Sequence, residues 1–208
     1  MEEIKIGNQI WASFNLSVDK FANGDLIQEA KSFEEWEYCG LNRIPAFCRY
    51  ENKLEIETVY GKLYNWFAVD DKRRLAPKEW RIPSIEDYVE LLDFLEQELD
   101  REIYRIYSNG ILLSCHYAGT KMKSINGWLD NNGVSGNGNN SSGFNGLPGG
   151  ARFGRLFSDL GRYGNFWCSS ERDDEHAHDL VLQYQGSNVS IGLGSNKRCG
   201  FSVRCLKI

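Results

Sequence analysis

The segment that most constrains the fold of this chain is an amphipathic helix predicted after Pro83. Ser84 is a suitable N-cap, and Asp87, three residues later, completes a capping-box pattern. Apolar side chains then recur at helical spacing, and they are Ile85, Tyr88, Val89, Leu92, Leu95 and Leu99. Because a helix that is apolar on one side gains most of its stability by burying that side, the rest of the chain must supply a large core.

Short strand patterns surround this helix. The chain opens with alternating apolar and polar residues over 4–11, around a Gly7-Asn8 turn, which is typical of a β-hairpin. The last third of the chain has strand patterns joined by Gly, Ser and Asn turns, over 166–170, 179–185, 188–193 and 201–206. We therefore expect an α+β fold with short antiparallel sheets, two or three helices and long irregular loops.

Weaker patterns lie between the hairpin and the main helix. They are a helix over 31–39 stopped by Gly40, a hairpin joining 44–50 to 54–58, and an aromatic-rich helix over 60–69 that contains Leu63, Trp66 and Phe67. Residues 131–146 hold five glycines and six asparagines, which predicts a long irregular loop. Two interpretations stay open for that loop: a functional segment, or surface chain that simply tolerates positive φ.

Composition excludes several classes of protein. A length of 208 residues favours one domain over 1–208. A net charge of -5 and the absence of a visible basic patch argue against binding nucleic acid. No apolar run is long enough for a membrane span, and no secretory leader is visible, so we expect a cytoplasmic protein, or a secreted or surface-anchored one if a leader has been removed. The oligomeric state stays open.

The cysteine pattern indicates thiols rather than a metal centre. The six cysteines form no Cys-x-x-Cys pair, and no histidine lies at zinc-ligand spacing from them. We expect buried or half-buried thiols.

Several motifs together resemble one family. They are IGNQIW at 6–11, YGKLYNW at 60–66, WRIPS at 80–84, GTKMKS at 119–124, SGFNGLPGG at 142–150, FWCSSE at 166–171 and GFSVRC at 200–205. In this order they resemble the Fibrobacter succinogenes major paralogous domain family, over nearly the whole chain. The resemblance implies a C-type-lectin-like fold, related to formylglycine-generating enzymes and to the variable proteins of diversity-generating retroelements.

The resemblance also bears on core and disulfides. The aromatic residues of the motifs, Trp80, Trp167, Phe144 and Phe201, are expected in the core. Members of the family commonly carry a cysteine shortly before the Trp80 position, and this chain has none there. Cys205 therefore lacks its usual partner, although Cys199 stays open as an alternative.

A search for catalytic or metal-binding motifs finds none that is complete. The calcium triplets of sugar-binding lectins are absent, although Asp130, Asn131 and Asn132 offer oxygen atoms. The paired cysteines of a formylglycine-generating oxidase are also absent. His176 and His178 would face one way in an extended strand, near several carboxylates, so a divalent metal site there is an open alternative to a solvated acidic loop. We predict no cofactor, with calcium or another divalent ion left open.

The sequence therefore favours a non-catalytic binding or display module that presents loops to a protein or glycan ligand. We expect the loops 171–178, 186–188 and 194–198 to lie on one surface. The predicted contact residues are Trp167, Glu171, Asp173, Asp174, His176, His178, Tyr184 and Asn196. Two alternatives stay open. One is a metal-dependent or thiol-dependent enzyme related to the formylglycine-generating oxidases, and the other is a structural component of a larger assembly.

Overall fold

The computed structural model describes residues 2–97, 105–108, 111–115, 117–191 and 194–208. Leu99, the last residue of the predicted apolar stripe, and the end of the predicted strand 188–193 lie outside the described residues.

Short strands and short helices alternate along the described chain. The strands are β1 (Glu3–Ile6), β2 (Gln9–Ala12), β3 (Gln28–Glu29), β4 (Ala46–Cys48), β5 (Leu63–Tyr64), β6 (Trp80–Arg81), β7 (Arg105–Ser108), β8 (Ile111–Cys115), β9 (Gly149–Phe153), β10 (Leu156–Leu160), β11 (Tyr163–Glu171), β12 (His176–Gln183), β13 (Val189–Ile191), β14 (Ser195–Asn196) and β15 (Leu206–Lys207). The helices are α1 (Phe33–Leu41), α2 (Leu54–Tyr60), α3 (Trp66–Val69), α4 (Ile85–Leu95) and α5 (Ala118–Met122), and a 3-10 turn lies at Tyr50–Asn52.

Three sheets organise these elements into a mixed α+β fold. The first runs β1-β2-β15-β6, the second β10-β9-β11-β12-β13-β8-β7 with β14 beside β12, and the third β3-β4-β5. The predicted amino-terminal hairpin is confirmed, and Gly7 closes it at φ 60°. The pairing is not purely antiparallel, because β11 pairs with β9 and β3 with β4 in parallel.

Helix α4 is confirmed as the element that covers the large sheet. Ser84 and Asp87 form the capping box, and the buried residues of α4 are Tyr88, Leu91, Leu92 and Leu95. They share one core cluster with Phe166 of β11 and with Leu180 and Leu182 of β12. The predicted core aromatics Trp80, Trp167, Phe144 and Phe201 are all buried.

The predicted hairpin over 44–50 and 54–58 is wrong in its second half, which forms helix α2. No residue of α2 is buried, and among the described residues this segment belongs to none of the three sheets. Glu57 instead uses its carboxylate to pair with Arg49 and Lys62, which lie on either side of the helix in sequence.

The predicted helix over 60–69 is shorter than expected. Gly61 ends α2 at φ 77°, and Leu63 pairs with Cys48 in strand β5. Asn65 then starts α3, since its side chain accepts a hydrogen bond from the backbone N–H of Ala68.

Two smaller corrections concern the ends of elements. Gly40 does not follow α1 but lies in its last turn, against the side chain of Arg198. The segment 201–206 contributes only Leu206 to a strand, whereas Phe201 and Ser202 make isolated bridges. Strands β9 and β10 lie outside the strand patterns of the sequence.

The six cysteines are all thiols, and no disulfide joins them. Cys199 is half-buried and the others are buried. Burial raises the pKa of Cys48, Cys199 and Cys205 to about 12. Within the described residues, no helix is both long and apolar enough to cross a membrane.

Candidate binding surface

Two of the predicted loops lie side by side at one end of the large sheet. The turn between β11 and β12 is closed by the backbone N–H groups of Arg172 and Asp173, which donate to the carbonyl of His176 at 3.0 and 3.1 Å. Strand β14 pairs with the start of β12, with Asn196 opposite His176. The structure thus brings the predicted residues Glu171, Asp173, Asp174, His176 and Asn196 together.

The buried side chain of Lys197, in the second loop, contacts the first loop. Its side chain is only 4% exposed, its ammonium forms an ion pair with Glu171, and it donates to the carbonyl of Asp174 at 3.1 Å. The ammonium also lies 4.7 Å from the centre of the Trp66 ring. Because a buried cation is costly unless it is paired and hydrogen-bonded, the Lys197 side chain joins the two loops in addition to their backbone hydrogen bonds.

His176 and Asp173 are engaged with each other inside the first loop. The ring Nδ1 of His176 lies 2.8 Å from Asp173, whose carboxylate also accepts from the backbone N–H groups of Glu175 and His176 at 2.9 Å. The hydrogen bond from His176 is the largest cause that lowers the pKa of Asp173. His178 follows two residues later on the same face of β12 and is half-buried. The described residues contain no group of three side chains placed to hold a metal ion.

The end of helix α1 extends this surface, which the sequence patterns did not indicate. Glu175 accepts from Arg198 at 3.1 Å and lies 3.7 Å from Arg43. Leu41, next to the contact between Gly40 and Arg198, is 58% exposed. Tyr38, one helical turn earlier, is 61% exposed. We call residues 38–43, 171–176 and 195–198 together the loop surface.

Two predicted contact residues lie elsewhere. Trp167 is completely buried, with its indole N–H donating to the carbonyl of Tyr64 at 2.8 Å and its ring centre 4.4 Å from that of Phe201. It is therefore part of the core and has no surface to offer a partner. Tyr184 lies just past the far end of β12, roughly 26 Å from His176 at the usual rise per residue.

The third predicted loop, 186–188, is also at that far end. The backbone N–H of Gly119 donates to the carbonyl of Ser187 at 2.9 Å, and the ammonium of Lys123 donates to the carbonyl of Gly186 at 2.8 Å. This loop is therefore not part of the loop surface, and the expectation that the three loops share one face is wrong.

A buried carboxyl group lies beneath the loop surface. Asp179 is 2% exposed, and its side chain forms a hydrogen bond with Ser195 of β14. Its Oδ1 atom has no hydrogen-bond partner within the described residues. Burial raises its pKa from 3.8 to about 7. The sequence does not indicate that Asp179 is buried, because it follows closely after a run of acidic residues that are exposed.

A groove of about 340 Å³ lies beside the loop surface. Its apolar lining includes Val69, Trp80 and Ile82, and Ser169 leads from it toward Glu171. At its rim, burial raises the pKa of Asp70, and the nearby Glu171 raises it further. Its size falls at the lower end of the range for small-molecule sites.

Comparison with known proteins gives one match. Residues 4–207 match the model of the Fibrobacter succinogenes major domain. No curated protein and no solved structure matches the chain.

Proposed function

Since the chain belongs to the Fibrobacter succinogenes major domain family, we propose that it is a non-catalytic binding module whose loop surface docks a protein partner. The predicted contact residues on this surface are Glu171, Asp173, Asp174, His176 and Asn196, to which we add Tyr38, Leu41, Arg43 and Arg198.

The observation that carries this proposal is the buried ammonium of Lys197. It bonds to Glu171 and to the carbonyl of Asp174 while lying over Trp66, so residues 171–176 and 195–198 are fixed before any partner arrives. Binding by a surface that is already ordered loses less conformational entropy than binding by a mobile loop. An arrangement of this kind supports recognition better than a flexible linker would.

The composition of the loop surface favours a protein over a glycan. Tyr38 and Leu41 expose apolar area beside Arg43 and Arg198, and tyrosine and arginine are enriched where proteins bind proteins. Trp167, an aromatic residue among the predicted contacts, is in the core and offers a glycan no ring to stack on.

We propose a C-type-lectin-like fold as the scaffold. Two features support it: the first sheet contains strands from both ends of the described chain, β1 and β15, and the second half of the chain is rich in irregular loops. The resemblance of the motifs adds to this support.

The proposal is tested by site-specific photo-crosslinking on the full chain. A photoreactive amino acid replaces Tyr38 on the loop surface or, as the control, Ile125, which is 66% exposed and lies near Lys123 and the loop 186–188 at the far end of the large sheet. In extract from the source cells we expect a protein adduct at Tyr38, removed by excess unlabelled chain but not by excess of a Tyr38→Ala/Arg198→Glu variant. Equal adducts at both positions, or none at Tyr38, would contradict the proposal. Retention on a glycan array that the same double variant abolishes would assign the surface to a glycan instead.

A further inference from the structure

The chain contains several Asn-Gly pairs, which can modify themselves. Within the described residues they are Asn23-Gly24, Asn126-Gly127, Asn132-Gly133, Asn137-Gly138 and Asn145-Gly146, and the pair 109–110 lies outside them. In such a pair the backbone nitrogen of glycine attacks the side-chain carbonyl carbon of asparagine. The new C–N bond closes a succinimide ring and the C–N bond to the amide nitrogen breaks, releasing ammonia. Water then opens the ring to aspartate or isoaspartate, so only water is consumed.

The reaction needs a free glycine N–H and a free asparagine side chain, because the two must approach each other. A hydrogen bond to either group, or packing around the glycine, must first be broken by local opening of the structure. The structure therefore ranks pairs that the sequence leaves equivalent.

Asn132-Gly133 meets these needs at the tip of a small hairpin. Asn131 and Val134 exchange backbone hydrogen bonds of 2.8 and 3.0 Å, and the two residues between them have φ 51° and 82°, as in a type I′ turn. Both tip residues are exposed, and a Cβ placed on Gly133 would meet no atom within 4 Å. Neither the Gly133 N–H nor the Asn132 side chain has a hydrogen-bond partner in the described part of the chain.

Three of the other pairs are restrained at the reacting atoms. The N–H groups of Gly24, Gly138 and Gly146 donate to backbone carbonyls at 2.9, 3.0 and 2.7 Å. The side chain of Asn137 accepts from the N–H of Trp128 at 3.0 Å, which holds it away from Gly138.

The pair Asn126-Gly127 is intermediate. It is exposed and the Gly127 N–H has no partner among the described residues, but a Cβ on this glycine would lie 3.5 Å from the Tyr60 hydroxyl and 3.7 Å from the Pro148 ring. The carbonyl of Asn126 also accepts from the Ser124 hydroxyl at 2.7 Å. Local packing therefore limits its motion more than that of the hairpin tip.

We propose that Asn132 is a self-modification site. Among the described Asn-Gly pairs of the folded protein, Asn132-Gly133 is the first to convert to aspartate and isoaspartate. The product places a carboxylate at the hairpin tip, and the isoaspartate form adds a methylene to the backbone. Because a type I′ turn admits two residues of fixed length, the longer backbone breaks the pairing of Asn131 with Val134.

The test is peptide mapping by tandem mass spectrometry after ageing the folded full chain in mildly alkaline buffer, with an isoaspartate methylation assay in parallel. Asn132 is expected to convert first, with the restrained pairs at least roughly tenfold slower because each must lose a backbone hydrogen bond. In denaturant all pairs should react at comparable rates, which separates structure from sequence. An Asn131→Ser/Asn132→Gly double variant keeps a two-residue turn, creates no new Asn-Gly pair and should lose the first product. Earlier conversion at Asn126 or at any restrained pair, or an unchanged Asn132 in folded chain aged until the denatured chain has reacted, would overturn the proposal.

Discussion

Among single residues, buried cations have an unusual part in holding this molecule together. Lys123, Lys197, Arg152 and Arg204 are each 3% exposed or less. Lys123 donates to the carbonyls of Gly136 and Gly186 at 2.6 and 2.8 Å, and burial lowers its pKa to about 8. Each of the four lies over at least one aromatic ring. Irregular loops expose carbonyls that no strand or helix satisfies, and a long side chain with several donors can satisfy them.

The role of Lys197 can be measured by replacing it with methionine, which keeps the apolar stem and removes the ammonium. Lys197→Met should lower the free energy of unfolding by about 1–3 kcal/mol, because Glu171 and the Asp174 carbonyl lose a buried donor. Hydrogen exchange should accelerate over 171–175. Lys207→Met is the matched control, since its pair with Glu3 is exposed and should cost under about 1 kcal/mol. Equal exchange over 171–175 in both variants would show that Lys197 does not fix the loop.

The buried carboxyl of Asp179 gives a prediction about pH. Its folded pKa is about 7 against an ordinary 3.8, so between these values the folded state keeps a proton that the unfolded state has lost. Its contribution to stability is therefore complete below the unfolded pKa and is lost as the pH rises through 7. Asp179→Asn removes this loss and can keep the contact with Ser195.

The free energy of unfolding of Asp179→Asn minus that of the unmodified chain should thus increase by about 2 kcal/mol between about pH 5 and pH 8. Urea unfolding at the two pH values measures it, and Asp130→Asn at an exposed position serves as the control. A gap that is constant with pH would show that Asp179 is ionised in the folded protein at both values.

At the scale of elements, sequence patterns predicted the helices and strands that are determined by interactions between residues close in sequence. Helix α4 follows from its capping box and apolar stripe, and the first hairpin from alternation around Gly7. Leu54, Ile56 and Thr58 also alternate, yet they form α2, in which no residue is buried. Period-2 alternation predicts a strand only when a neighbouring strand exists, and the sequence does not say where that neighbour is.

The candidate site shows the same division. The grouping of Glu171, Asp173 and His176 was predictable because they are close in sequence. Tyr184 was misplaced because the eight-residue strand β12 carries it to the far end of the sheet. The contribution of α1 to the loop surface was missed because it depends on contacts between residues far apart in sequence. One of them is the hydrogen bond that the indole N–H of Trp36 donates to the carbonyl of Arg198 at 3.0 Å.

The loop 131–146 gives a prediction about an element without regular structure. A Cβ on Gly138 would lie 2.5 and 2.6 Å from the carbonyl oxygens of Lys123 and Thr120. Backbone atoms cannot move aside as a flexible side chain can, so Gly138→Ala should destabilise the protein by about 2–4 kcal/mol. Gly154→Ala is the control: its position is open and the left-handed backbone at φ 55° alone should cost about 1–2 kcal/mol. A smaller loss for Gly138→Ala than for the control, measured by chemical denaturation, would mean that the loop packs loosely.

At the scale of the whole molecule, Arg204 joins parts of the chain that are far apart in sequence. Its guanidinium donates to the carbonyls of Ala12 and Phe144, and to the side-chain oxygen of Asn15 at 2.7 Å. It therefore links the first hairpin, the end of the Gly/Asn-rich loop and the carboxy-terminal segment. If these parts fold as the one domain expected from the sequence, breaking this link should weaken all of them together.

Arg204→Met tests that expectation. It leaves several buried acceptors without a donor, so the free energy of unfolding should fall by about 3–5 kcal/mol, against about 1 kcal/mol or less for the exposed Arg155→Met. Tryptophan fluorescence reports on all three core clusters, since Trp11, Trp66 and Trp36 lie one in each. In a single cooperative unit the fluorescence and far-ultraviolet circular dichroism transitions should shift together and stay coincident. If the two transitions separate in Arg204→Met but coincide in Arg155→Met, the clusters unfold independently once the guanidinium is removed. Arg204 would then be the group that couples them in the unmodified chain.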